Sequence, residues 1–262
     1  MKNTLIIFLL TIIGLTNTMN SQNCKVKITA HRGASGYAPE NTLASMKEAI
    51  NMKADIAELD VQETLDGKIV LLHDDLLKRT TDSDKNLWEL NYDEVKKLDA
   101  GSWYGEKFKG ELLPSLADVI DLVRGKMQLN IELKNNGHEK QLVERTVKVV
   151  KEKNFSKNCF FTSFDYPKIK KVKEVDPTLK VGLIFKTIPD SFNVFTANME
   201  LLSVHYSLVD AGFVKKAKEN GKEVHVWTVN DEAEMKRLID LGVTSIITNY
   251  PDKLKKVLDE YK

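Results

Sequence analysis

The chain has 262 residues, 42% of them hydrophobic and 29% charged, with 39 Lys+Arg against 38 Asp+Glu for a net charge of +1. That length and balance suit one globular domain with a core of ordinary density. The near-cancelling charge excludes a broad cationic field for nucleic acid or an anionic membrane, so an anionic ligand would need local groups or a bound cation.

Met1-Lys2-Asn3 carries one positive charge, Leu5 to Leu15 is a short apolar run, and Thr16 to Asn23 is polar. This three-part layout predicts a secretory signal peptide over residues 1–23, a mature domain over residues 24–262, and export to the periplasm or the exterior. The apolar run falls well short of the roughly 20 residues a spanning helix needs, so no stable membrane span is expected. Cys24 and Cys159 are too few for a disulfide framework. Acylation of Cys24, as in a lipoprotein, is the lesser alternative, because Asn23 stands where a small residue is usual. Cys159, in the apolar run Asn158-Cys159-Phe160-Phe161, reads as a buried small side chain.

Beyond residue 25, short β-like runs alternate with helical patterns. The runs are Val26–Ala30, Ile56–Val61, Met127–Leu133, Cys159–Ser163, Val181–Phe185, Leu201–Val204, Glu223–Thr228 and Thr244–Thr248. Apolar stripes at helical spacing follow most of them: Leu43, Met46 and Ile50; Leu142, Val143, Thr146, Val147 and Val150; Ala233, Leu238, Ile239 and Leu241. Pro251 opens the last helix, where its missing N–H costs nothing. Eight such units predict an α/β fold, a (β/α)8 TIM barrel. An open doubly wound sheet would use the same units, but the count of eight and the lack of a G-x-G-x-x-G run disfavour it. Between His73 and Leu113 a charged segment with Trp88, Trp103, Tyr104 and three glycines interrupts the rhythm. It is too long for an ordinary βα loop and predicts a small insertion after the second strand, about residues 74–113, over the barrel mouth.

The residues with chemical potential fall at predicted strand ends. His31-Arg32-Gly33 follows the first strand, on the face where barrels carry catalytic groups. Gly33 and Gly36 leave room for the backbone to approach a ligand. Taken alone, a loop histidine beside a surface arginine is an equal alternative. Glu58 and Asp60 are two apart in a strand and project to the same side. Two such carboxylates among Ile56, Leu59 and Val61 are costly to bury without a cation between them. Asp66-Gly67 signals a hairpin. With a two-residue loop, paired positions sum to 133 and His73 falls opposite Asp60, about 5 Å away; a three-residue loop would spoil that register. Glu132 and Lys134 share a face at the end of the third barrel strand. A surface Glu–Lys pair is the bland alternative, but Met127, Leu129, Ile131 and Leu133 make the other face apolar, as under a helical layer. Glu58, Asp60 and Glu132 would form an oxygen-only site suited to Mg²⁺ or Ca²⁺; zinc would want more histidine or cysteine. Trp227 ends a strand and would wall the pocket or stack on a substrate head group, with plain packing an equal alternative. His225, two residues deeper, reads as a core histidine. His205 also ends a strand, with nothing to pair it, and His138 reads as merely polar.

Assembled, these residues resemble the glycerophosphodiester phosphodiesterase family. His31-Arg32-Gly33-Ala34-Ser35-Gly36-Tyr37-Ala38-Pro39-Glu40-Asn41-Thr42 is similar to its opening motif, and Glu58-Leu59-Asp60-Val61-Gln62 with His73-Asp74 to its second. Arg79-Thr80-Thr81, Leu113-Pro114-Ser115-Leu116, Glu132-Leu133-Lys134 and Val226-Trp227-Thr228-Val229-Asn230 follow in order, spanning nearly the whole mature chain. The resemblance implies hydrolysis of small-molecule glycerophosphodiesters to sn-glycerol 3-phosphate and an alcohol, with a divalent cation, Mg²⁺ or Ca²⁺, on Glu58, Asp60 and Glu132. It implies His31 and His73 as general base and general acid, and Arg32 and Lys134 on the non-bridging phosphate oxygens. Glu63 is at most an assistant. Direct attack by water and prior attack by the glycerol 2-hydroxyl both stay open. Asn249 departs from the family's usual Asp, a difference expected to be peripheral. The runner-up is a lysophospholipase D or sphingomyelinase-D-like enzyme, with Trp88, Trp103, Tyr104 and Phe108 lining a channel for a lipid chain. A non-catalytic binding barrel would lack one of the five acidic and histidine groups, and all five are present.

Overall fold

The structure, a computed structural model, describes residues 26–261; the expected signal segment 1–23 and Cys24 lie outside the described residues. Among the described residues, nine strands run in chain order as β1 (Lys27–Ala30), β2 (Ile56–Glu63), β3 (Ile69–Leu71), β4 (Gln128–Leu133), β5 (Cys159–Ser163), β6 (Val181–Phe185), β7 (Leu201–His205), β8 (Glu223–Trp227) and β9 (Ser245–Thr248). All but β3 are parallel, and β1 pairs with both β2 and β9, which closes an eight-stranded barrel. Helices α1 (Leu43–Asn51), α3 (Leu116–Val123), α4 (Leu142–Glu152), α5 (Tyr166–Val175), α6 (Ala211–Glu219), α7 (Glu232–Leu241) and α8 (Pro251–Asp259) surround it, and a short α2 (Tyr92–Val95) lies in the insertion. This is the expected (β/α)8 barrel. Residues 186–200, between β6 and β7, form turns rather than a helix and tuck Val194, Phe195 and Met199 into the core. Among the described residues, no helix is long and apolar enough to cross a membrane.

The strands are buried on both faces, so their alternation separates two interiors. On β2, Ala57, Leu59 and Val61 join the main core beneath the helices, while Ile56 meets Phe160 and Leu201 in a separate cluster within the barrel. Polar pairs also span neighbouring strands, Thr29 with Ser245 and Thr162 with Asn130, each at 2.7 Å. The period of two that carries Ile56 inward also carries Glu58 and Asp60 inward. The α4 stripe buries as expected, but α7 buries Met235 and Leu238 and exposes Ala233. Ile239 and Leu241 of the expected stripe pack partly buried against the core, so only Ala233 misses it, and Met235 takes its place.

The β2–β3 hairpin departs from the two-residue expectation. Val61 pairs with Leu71, Gln62 with Val70 and Glu63 with Ile69, so Asp60 falls opposite Leu72 and not His73. The loop is Leu65-Asp66-Gly67: Gly67 donates to the Thr64 carbonyl at 2.8 Å, and its φ of +84° lies in the left-handed region that glycine tolerates. Thr64 Oγ1 accepts from Lys68 N at 3.0 Å and closes the turn. The chain beyond β3 then packs a satellite core of Val70, Leu72, Leu77, Leu87, Leu90, Val95, Ala100 and Leu113, which holds the insertion together.

Cys159 starts β5 with its side chain buried, and burial pushes its thiol up to about 12. In a Cys24→Ser background, Ellman's reagent at pH 8 should therefore label the native protein very slowly and the denatured protein fully. Rapid native labelling would show that β5 opens locally.

Candidate active site

The loop after β1 carries the first of the site residues, His31 and Arg32. His31 N donates to the Thr248 carbonyl at 2.9 Å, continuing the β1–β9 ladder by one residue. Arg32 then turns into the left-handed region with φ of 53°, an uncommon conformation for a residue with a Cβ. Its amide donates to Glu58 Oε2 at 2.8 Å, which helps hold the turn. Gly33 follows with φ of 78°, and a Cβ there would sit 2.4 Å from Ser45 Oγ, so the loop packs directly on α1.

Across the β2–β4 register Asp60 is opposite Glu132, and Glu58 opposite Asn130. Glu58, Asp60 and Glu132 are all buried, with one oxygen of each within 4.8 Å of the others. Burial, then the charges of Asp60 and Glu132, raise the Glu58 carboxyl well above the usual carboxylate range. Glu132 is pushed up to about 7 by burial and by Asp60. Burial would raise Asp60 too, but Arg32 and Lys134 outweigh it and hold Asp60 low. Lys134 Nζ lies 2.9 Å from Glu132 Oε1 and 3.5 Å from Asp60 Oδ1. Asn41 donates to Asp60 Oδ2 at 2.8 Å. Asp60 Oδ1 is buried without a hydrogen bond, and so is Arg32 Nε, which lies 3.3 Å from Asp60 Oδ2. An acceptor and a donor left over side by side suit a site that takes a cation and an anion together.

The two histidines reach the mouth by different routes. His31 Nδ1 donates to Asn249 Oδ1 at 2.7 Å, which leaves Nε2 free, 4.0 Å from Glu58 Oε2. Burial, helped by the Arg32 charge, lowers the His31 imidazole to about 4. Asn249 is thus not peripheral: the departure from the family's Asp stands directly behind His31. His73 is placed by Gln62, whose Nε2 donates to the carbonyls of Leu72 at 3.0 Å and Asp74 at 2.8 Å and draws the chain over the barrel end. Its Nδ1 lies 2.6 Å from Asp74 Oδ1.

One cavity of about 130 Å³ collects these groups: His31, Arg32, Glu58, His73, Asn130 and Glu132 on one side, Phe164, Ile184, Trp227 and Ile247 on the other. Phe164, 54% exposed, and His205 stand edge-on to Trp227 with ring centroids at 5.7 and 5.3 Å. So His205, expected to pair with nothing, packs against Trp227. Phe164 escaped the sequence reading because a single aromatic residue after a strand carries no local signature. Glu63 turns away from the cavity: it accepts from the Lys140 and Gln141 amides and from Arg145, at the start of α4. Trp88, Trp103, Tyr104 and Phe108 do not line the cavity; Trp88 stacks on His138 at 4.1 Å, and Tyr104 meets Trp103 and Phe108 edge to face.

The profile of the glycerophosphoryl diester phosphodiesterase family matches residues 31–253. The chain belongs to that family. A glycerophosphodiester phosphodiesterase of Caldanaerobacter subterraneus subsp. tengcongensis is 38% identical over 239 residues, covering 88% of this chain and 96% of its own. An Oleispira antarctica phosphodiesterase, solved in complex with the product sn-glycerol-3-phosphate, superimposes with a TM-score of 0.84 at 34% identity, over 89% of this chain and 96% of that one. A human lysophospholipase D is 27% identical over 289 residues, covering 94% of this chain and 90% of its own. As a glycerophosphoryl diester phosphodiesterase family member the chain is a phosphoric diester hydrolase, and its buried acidic cluster is able to bind a metal ion.

Proposed function

We propose that this chain hydrolyses glycerophosphodiesters to sn-glycerol 3-phosphate and an alcohol, using a divalent cation and a histidine acid–base pair. The observation that carries the reading is the convergence of three buried carboxylates and two imidazoles, with an orphaned carboxylate oxygen and an orphaned guanidinium N–H beside them. Glu58, Asp60 and Glu132 would hold the cation, and the all-oxygen donor set favours Mg²⁺ or Ca²⁺ over zinc. Such a cation would act as Lewis acid on the phosphoryl group. Arg32 and Lys134 would bind the non-bridging oxygens, Arg32 through its planar fork. His31, its Nδ1 proton committed to Asn249, presents Nε2 to take the proton of the attacking oxygen, from water or from the glycerol 2-hydroxyl. His73, with Nδ1 on Asp74, presents Nε2 to protonate the leaving alcohol. Trp227 and Phe164 would wall the remainder of the substrate.

The runner-up on lipid substrates loses its proposed channel, because the insertion's aromatic residues pack elsewhere. Glycerophosphocholine and lysophosphatidylcholine should be compared, with the choline that cleavage of either would release read by a coupled enzyme. Release from the first, abolished by EDTA and restored by Mg²⁺ or Ca²⁺, is the expected result. Faster cleavage of the lysolipid would transfer the assignment to a lysophospholipase D. We further propose that residues 1–23 direct export. A secreted protein with a new N-terminus near residue 24 is expected, and retention of the full-length chain in the cytoplasm would reject the signal.

A further inference from the structure

His73 lies past the end of the β3 ladder, and its side chain is 32% exposed. Gln62 fixes the backbone around it but not the ring. The ring is held by Asp74 Oδ1 at 2.6 Å, and Asp74 is itself 32% exposed. A lone carboxylate so open to water is a weak anchor. Its other oxygen, however, is taken by Arg79 Nε. The far side of the same guanidinium grips Glu40 with two bonds, Nη1 to Oε2 at 2.9 Å and Nη2 to Oε1 at 2.8 Å. Glu40, 13% exposed, also accepts from Arg32 Nη1 at 2.8 Å, and its neighbour Asn41 is bonded to Asp60. A continuous ionic strap therefore runs His73–Asp74–Arg79–Glu40–Arg32, joining the segment after β3 to the loop after β1.

The insertion supplies one end of this strap. Arg79 closes the single helical turn Leu77–Arg79, whose Leu77 is fully buried in the insertion's satellite core. Leu77 N is also bonded to the Lys85 carbonyl at 3.0 Å. Arg79 is thus carried on a packed platform and meets a carboxylate fixed to the barrel.

We propose that Arg79 and Glu40 are positioning residues for His73, and that the insertion serves as the platform that aims this histidine into the cavity. The inference rests on the reading above, in which His73 protonates the leaving alcohol. Bidentate guanidinium–carboxylate pairs impose direction as well as attraction. Without Arg79, Asp74 turns to solvent and the His73 ring is free to rotate off line. Displacement of a catalytic group by about 1 Å costs on the order of 10² in rate.

The test compares two leaving groups. Arg79→Met keeps the stem but removes the fork, and Glu40→Gln removes the charge at the other end. Each is assayed on glycerophosphocholine, whose departing alkoxide needs a proton, and on glycerol p-nitrophenyl phosphate, whose departing phenolate does not. His73→Ala is the reference. The expected result is a fall in kcat of about 10- to 100-fold on the choline ester, a far smaller fall on the nitrophenyl ester, and the same selectivity, stronger, in His73→Ala. Equal losses on both substrates in Arg79→Met and Glu40→Gln would assign the strap a merely structural role and overturn the proposal, as would no loss on either. If His73→Ala is itself unselective, the acid assignment falls and the strap falls with it. If His73→Ala is selective and both strap variants are not, only the strap falls.

Discussion

Replacing His31 with alanine is expected to lower kcat by about 10²- to 10⁴-fold, the usual contribution of a positioned general acid–base group. The ring lines the cavity rather than filling the helical core, so its removal leaves packing intact and the Tm should stay close to that of the parent. Its Nε2 is 4.0 Å from Glu58 and is not needed to complete the carboxylate cluster. The variant should therefore keep its thermal response to Mg²⁺ or Ca²⁺ while losing turnover. That pairing separates a proton-transfer role from a metal-ligand role. His73→Ala should lose turnover by a similar factor on alkyl esters. Near-normal kcat in both variants would remove the acid–base pair from the mechanism.

The barrel was legible because parallel strands covered by helices leave a strong trace: short apolar runs separated by stripes at helical spacing. The carboxylate cluster was legible for a related reason. In a strand, alternation alone puts Glu58 and Asp60 on one side, and no tertiary information is required. The hairpin shows the limit of such local rules. Asp66-Gly67 marks a turn correctly, but the loop length depends on the Thr64 side chain closing onto Lys68, and a one-residue change moves the partner of Asp60 from His73 to Leu72. His73 still reaches the cavity, through Gln62, a residue that carries no chemical signature of its own.

What stayed hidden in the sequence are contacts between distant positions. His31 and Asn249 stand 218 residues apart, and only closure of the barrel between β1 and β9 brings them to 2.7 Å. Glu40 and Arg79 are 39 residues apart, each inside a run that reads as loop. Phe164 and Trp227 end strands three places apart around the barrel, and their edge-to-face contact follows from barrel curvature, which no spacing rule encodes.

The second large effect concerns stability and metal together. Without a cation, ionising the carboxylates of Glu58 and Glu132 works against folding, since burial and mutual repulsion raise both above their unfolded values. A carboxyl raised on folding makes the native state bind more protons than the unfolded chain, so stability falls as pH rises from about 4.5 through the folded value. In EDTA the Tm should therefore decline between about pH 5 and pH 8 on account of this cluster, Glu132 crossing at about 7. Glu58→Gln removes one repelling charge while its amide oxygen still accepts from Arg32 N. It should raise the Tm in EDTA at pH 8 by about 2–4 °C for each kcal/mol of repulsion relieved. A divalent cation reverses the order. At 100 times its Kd it stabilises the parent by about 2.7 kcal/mol, whereas the variant, with one ligand weakened, gains little and loses activity. The two proteins should therefore exchange rank in Tm between EDTA and millimolar Mg²⁺ or Ca²⁺. A parent that does not respond to either cation, or a Glu58→Gln that is less stable than the parent in EDTA, would mean that Arg32 and Lys134 already neutralise the cluster and that no metal is needed to occupy it.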